Sequence, residues 1–251
     1  MGLNARASGN LIFATILSED ASIRVKAKEG APKAEKREWS IGNKSGIKWE
    51  YKYDYLTGRI KKVFVKENKF ENGNVKVLNI NVFDNGETIS LQTPLTSNFA
   101  IDFLKRLPNV DFTKDVKIIP YNLTTEEGKQ RKGVAIHQGE VKHANFFYDP
   151  DTKMNLHNFP EVDETDRYED WYWKSYFGKV SSFLARFLED RIIPLIEESN
   201  AEEAPQYEEM TEAEIHKEFE AEAPENLPEG IPEQAMSGNE GFEPQDDDLP
   251  F

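Results

Sequence analysis

Hydrophobic and polar positions alternate with period two over much of the first half of the chain, which is the mark of half-buried strands. Residues 11–17 form a short apolar run, Ser18-Glu19-Asp20 reads as a turn, and 22–26 alternates as a strand. The charged stretch 29–38 contains Pro32 and reads as a loop. Trp49, Tyr51, Tyr53 and Tyr55 then alternate with Lys48, Glu50, Lys52 and Asp54, which puts four rings on one strand face. Leu56-Thr57-Gly58-Arg59 reads as a turn into a strand at 60–66. Asn72-Gly73 and Asn85-Gly86 introduce strands at 75–83 and 88–92. Asn-Gly between alternating runs is the strongest short hairpin signal.

The period becomes helical twice. From Ser97 to Leu107, Phe99, Phe103, Leu104 and Leu107 share a face, and Pro108 ends the run. Strands are expected at 116–121 and 134–136, with another at 140–148, and 149–170 is polar and irregular. A second helix is expected at 171–196, with Val180, Phe183, Leu184, Phe187, Leu188 and Ile192 in one stripe and Pro194 straining its end. These elements predict a mainly β protein with α elements (α+β). The expected architecture is an OB-fold-like antiparallel β-barrel with a helix within it and a C-terminal helix, an immunoglobulin-like sandwich being the alternative. Residues 1–196 form the expected domain. Residues 197–251, rich in Glu and Pro, predict a disordered acidic tail. Within it, Thr211-Glu212-Ala213-Glu214 is a capping-box pattern for one short helix through Phe219.

Charge changes how this domain reads. The 251 residues carry a formal net charge of −15, which taken whole argues against a nucleic-acid partner. Residues 197–251, however, hold 19 acidic residues and one basic residue, Lys217, leaving 27 acidic and 30 basic residues in 1–196, a net of +3. Twenty-five of the 29 aromatic residues also lie in 1–196. A mildly basic, aromatic domain thus carries a strongly acidic tail. The chain has no cysteine, which excludes disulfides, thiolate zinc sites and cysteine nucleophiles. MGLNARASGN lacks an apolar signal core, and no run reaches membrane-spanning length, so a soluble cytoplasmic protein without a membrane partner is expected.

Between Lys44 and Lys76, nine basic residues face four acidic ones, with six aromatics interleaved. Single strands need this pairing, because cations track phosphates while flat rings stack on unpaired bases. The candidate DNA-binding residues here are Lys44, Lys48, Trp49, Tyr51, Lys52, Tyr53, Arg59, Lys61, Lys62, Phe64 and Lys66. The bland reading is that the rings fill a core and the lysines sit on a solvated face. Arg131 and Lys132, in Lys129-Gln130-Arg131-Lys132-Gly133, read as a phosphate clamp or as an ordinary hairpin tip. Trp39 is a further stacking candidate, and Trp171-Tyr172-Trp173 more readily anchors its helix. His137, His143, His157 and His216 match no metal-ligand spacing, and no phosphate-binding glycine loop or nucleophile elbow is present. No enzyme activity, cofactor or metal is expected.

The sharpest signal is the end of the tail: Asp246, Asp247, Asp248, Leu249, Pro250 and Phe251. Phe251 can enter an apolar pocket while its carboxylate and the three aspartates meet basic residues at the rim. Pro250 limits the entropy lost on ordering. This ending is similar to that of bacterial single-stranded-DNA-binding proteins, which carry isoleucine where Leu249 stands. The larger domain, the helix after the barrel and the aromatic-tipped acidic tail look more like the bacteriophage-encoded members, placing the chain in a bacterial host's cytoplasm. The tail departs from the bacterial pattern in being glutamate-rich rather than glycine- and glutamine-rich. The resemblance implies a protein that coats and protects single strands during DNA replication, recombination and repair. It also implies that residues 246–251 dock partners such as a polymerase, helicase, nuclease or recombinase. The alternatives are an acidic DNA mimic or interaction protein, and a recombination mediator or annealing protein. The 171–196 helix is expected to cap its own barrel or to form a homodimer.

Overall fold

The computed structural model describes residues 11–41, 44–70, 73–126, 128–163 and 170–203. The short tail helix around 211–219 and the partner-docking residues Asp246, Asp247, Asp248, Leu249, Pro250 and Phe251 lie outside them, as does Asn72.

Ten strands form one mixed sheet. In chain order they are β1 (Leu11–Leu17), β2 (Ser22–Lys26), β3 (Glu35–Ile41), β4 (Lys44–Tyr53), β5 (Leu56–Phe70), β6 (Gly73–Asp84), β7 (Glu87–Pro94), β8 (Val116–Thr124), β9 (Gln130–Gln138) and β10 (Val141–Lys142). Their spatial order is β10-β9-β8-β5-β6-β7-β1-β2-β4-β3. Only β1 and β7 pair in parallel, and every other neighbouring pair in this sheet is antiparallel. β11 (Tyr148–Asp149) and β12 (Met154–Asn155) make a separate hairpin. The fold is mainly β with a few helices, as the periodicity predicts.

Asn85 and Gly86 both take positive φ in the β6–β7 turn, 48° and 84°, the conformation a two-residue hairpin demands. Three local expectations change. The strand expected at 140–148 is reduced to β10 at its start and β11 at its end, with coil and turn between. The stretch 29–38 is not all loop, because Glu35–Ile41 pairs along β4 despite its charge. Leu56-Thr57-Gly58-Arg59 is strand rather than turn, with Leu56 opposite Ile118. A bulge between Ile60 and Lys62 then inserts an extra residue in β5. It lets Ile60 and Val63 both reach the core, which unbroken alternation forbids.

The core lies on one face of the sheet, where Ala14, Ile23, Leu78, Ile80, Val82 and Leu91 are buried. α1 (Asn98–Arg106) packs there through Phe99, Phe103 and Leu104, with Ser97 Oγ accepting the Ala100 N–H as its N-cap. Asp102 of α1 accepts hydrogen bonds from Val134 N–H and the Tyr121 hydroxyl, both 2.9 Å, and satisfies part of the free edge of β9. The sheet curls so that β8 and β9 return to the β1–β2 turn. Asn122 donates to the Glu19 carbonyl at 3.0 Å, and Lys132 to the Ser18 carbonyl and hydroxyl at 3.1 Å.

The C-terminal helix runs past its expected end. α2 (Asp170–Phe187) passes through a π-turn at Leu188–Ile192 into α3 (Ile193–Glu203). The wider turn, in which Ile193 N–H bonds the Leu188 carbonyl, admits Pro194 without ending the helix. It also counters the drift of a four-residue apolar repeat, so Val180, Leu184, Leu188, Ile192 and Ile196 all stay buried. Residues 197–203 therefore belong to the folded domain. Ser199 is buried, and Asn200 donates to the Lys61 carbonyl at 2.8 Å. Within α2, Tyr172 is buried whereas Trp171 and Trp173 face outward.

Candidate nucleic-acid interface

Strand alternation sends the sequence candidates to two faces. On the face away from the core, Lys48 of β4 pairs with Arg37 of β3, and Trp39 lies two residues on, beside Gly46. Gly46 makes room for the indole, since a Cβ there would stand 2.9 Å from Trp39 Nε1. Crossing toward β5, Thr15 faces Gln92 and Phe13 faces Ser90, then Asn79 and Asn81 lead to Phe64 and Lys62. Lys66 ends the face opposite Val77. The seven strands from β3 to β5 span about 29 Å at roughly 4.8 Å per strand.

Rings and cations meet on this face. Lys48 Nζ lies 5.0 Å from the Trp39 ring centre, and Lys62 Nζ lies 5.3 Å from that of Phe64. Phe13, 56% exposed, and Thr15 border one side of a groove of about 610 Å³, with Lys26, Trp39 and Lys48 also lining it. Its carboxylates are already matched. Arg24, buried, donates to Asp20 and Glu35 at 2.7 Å each, and Arg37 binds Glu50 at 2.8 and 3.0 Å. Burial pushes the Asp20 carboxyl up, but hydrogen bonds from Ser22, Lys52 and Arg24 hold it well below the usual carboxylate range. The Arg37 guanidinium holds Glu50 low in the same way. Lys26, Lys48, Lys62 and Lys66 form no ion pair among the described residues, and the Glu50 carboxylate that Lys48 attracts is already bound by Arg37, so the face keeps positive charge.

Other candidates are placed elsewhere. Tyr51 and Tyr53 point to the core side, opposite Val25 and Ile23, whereas Trp49 also lines the groove beside Lys48. Lys52 pairs with Asp20 at 3.0 Å. Arg59 donates to the Phe112 carbonyl at 2.8 Å and to Ser199 Oγ at 3.3 Å, tying β5 to α3. Lys61 is the bulge residue beside it. Lys132 is held by Ser18, whereas Arg131 is exposed on the β8–β9 hairpin, and Lys44 enters β4 opposite Ile41. Sequence reasoning missed Phe13 and Lys26. Within the run 11–17, the polar Thr15 marks which parity faces outward, and Phe13 shares it.

Among the described residues, no three His, Asp or Glu side chains converge as a metal ion would require, and no helix is long and apolar enough to cross a membrane. Compared with known protein families, with curated proteins and with solved structures, the chain has no significant match.

Proposed function

We propose that the chain binds single-stranded DNA along the outward sheet face, coating it with little sequence preference, and recruits partners through Asp246–Phe251. One observation carries this reading: lysines without ion pairs share a single face with the exposed Phe13 ring and the half-buried Trp39 and Phe64 rings, with Lys48 on Trp39 across a groove from Phe13 and Lys62 on Phe64. Lysines attract the phosphate backbone, and rings need unpaired bases to stack on, so the combination favours single strands over duplex.

The strand order supports an OB-type reading of β5 to β9. β5, β6 and β7 form a meander, α1 follows, and the β8–β9 hairpin returns with β8 beside β5. Such a barrel would close β7 on β9. Here β7 takes β1 instead, which widens the open face by the four N-terminal strands. In OB folds the nucleic acid crosses the second and third strands and the loop between the fourth and fifth. On this reading β6, β7 and the Arg131 hairpin correspond to those positions. The acidic tail competes with DNA for the lysines until a strand displaces it.

Fluorescence titration with oligo-dT tests the reading. Saturable binding that weakens with salt, and that tightens in a chain ending at Glu203, is the expected result. Equal affinity for duplex and single strand, or no binding in either form, would contradict it.

A further inference from the structure

A second cavity, of about 590 Å³, opens on the core side of the same strands. Ile12, Ile23 and Ile89 line its apolar interior, and Tyr51, Tyr53 and Tyr55 wall it. Its size is that of an ordinary ligand pocket. The rim carries Asp54 from the β4–β5 turn and Asp84 and Glu87 from the β6–β7 turn. None of these three carboxylates has an ion-pair partner among the described residues, and Lys52, also at the cavity, is taken by Asp20. None of the three tyrosine hydroxyls makes a hydrogen bond among the described residues. The Tyr55 ring already holds the Lys117 ammonium 4.0 Å from its centre, so a ring of this wall does take a cation.

The charge at this rim is wrong for DNA and for the acidic tail, since both would be repelled. We infer that the cavity docks a basic, apolar segment of a partner protein. An aliphatic or aromatic side chain of that segment enters between Ile12 and Ile89. A neighbouring lysine or arginine pairs with Asp84 and Glu87 and lies over Tyr53. Because Tyr51 and Tyr53 alternate with Lys48 along β4, this site and the lysine face lie on opposite sides of the sheet. A partner held here leaves the lysine face uncovered.

The test uses the full chain, with the isoleucine methyl resonances of Ile12, Ile23 and Ile89 as the readout. The probe is the peptide acetyl-Lys-Leu-Arg-Phe-Lys-amide. A glycine counterpart, acetyl-Lys-Gly-Arg-Gly-Lys-amide, has the same charge and accounts for any attraction to the tail. The apolar peptide should shift these methyls saturably while the glycine peptide leaves them in place. Asp84→Asn with Glu87→Gln should weaken that binding roughly three- to tenfold, the loss of two rim charges. Tyr53→Ala, at a half-exposed position, should weaken it as well. Unmoved methyls, equal shifts from both peptides, or unchanged affinity in the charge-neutral variant would overturn the inference.

Discussion

Lys48 holds its ammonium 5.0 Å from the centre of the Trp39 indole, on the sheet face that carries no core. The contact orients the ring beside a groove and keeps an unpaired cation within reach of a phosphate. It also joins β4 to β3, whose first residues, 35–38, fall in the stretch expected as loop.

The lysines of this face should set the salt dependence of binding. Replacing Lys48, Lys62 or Lys66 with Ala should each lower the slope of log affinity against log salt by about 0.7, the value for one phosphate contact on a single strand. Lys132→Ala should leave the slope nearly unchanged, because that ammonium is engaged with Ser18. Titrations at four or five salt concentrations separate the two outcomes.

Acid should loosen the N-terminal strands. Asp20 and Glu50 are both held below their ordinary pKa by hydrogen-bonded cations. A carboxyl depressed in the folded state contributes stability above its unfolded pKa, and that stability is lost as pH falls below about 4. Glu50→Gln should cost roughly 1–2 kcal/mol at pH 7 by breaking the paired bonds to Arg37, and less at pH 3. Thermal melts of both proteins across that range check the sign.

The domain should end near Glu203. A chain ending at Glu203 should melt where the full chain does. One ending at Ile196 loses the Ser199–Arg59 and Asn200–Lys61 bonds and should lose about 1–3 kcal/mol. Denaturant unfolding of the two truncations distinguishes this boundary from one at 196.

Gly133 should resist enlargement. A methyl there would run into the Asp102 carboxylate and the Tyr121 hydroxyl, which together tie α1 to β8 and β9. Gly133→Ala should destabilise by about 1–3 kcal/mol, the usual cost of overpacking. Equilibrium unfolding measures it.

Much of the meander was readable because its signals are local. The Asn85-Gly86 turn, the alternation of Trp49 to Tyr53 and the Ser97 cap each depend on a few neighbouring residues. What escaped depends on pairing at a distance. β3 is too charged to look like a strand, yet Arg37 and Glu50 meet across the ladder and satisfy one another. Pro194 reads as straining the helix end because a π-turn gives no sequence signal. The candidate site was half visible. The segment 44–66 contains Lys48 and the Lys62–Phe64 pair, but Trp39, which Lys48 faces, and Phe13, on the same groove, come from β3 and β1. Tyr51 and Tyr53 share β4 with Lys48 and, by the same alternation, face the other way, while Tyr55 lies past the strand's end.

The face assignment is therefore the claim to test first, by comparing two double variants in oligo-dT binding. Phe13→Ala with Trp39→Ala removes the outward rings, and Tyr53→Ala with Tyr55→Ala removes the exposed rings of the opposite face. The first should lose about 1–3 kcal/mol for each stacked base, and the second should bind as the unaltered chain does. Unimpaired binding in the first variant, or a greater loss in the second, would contradict the account.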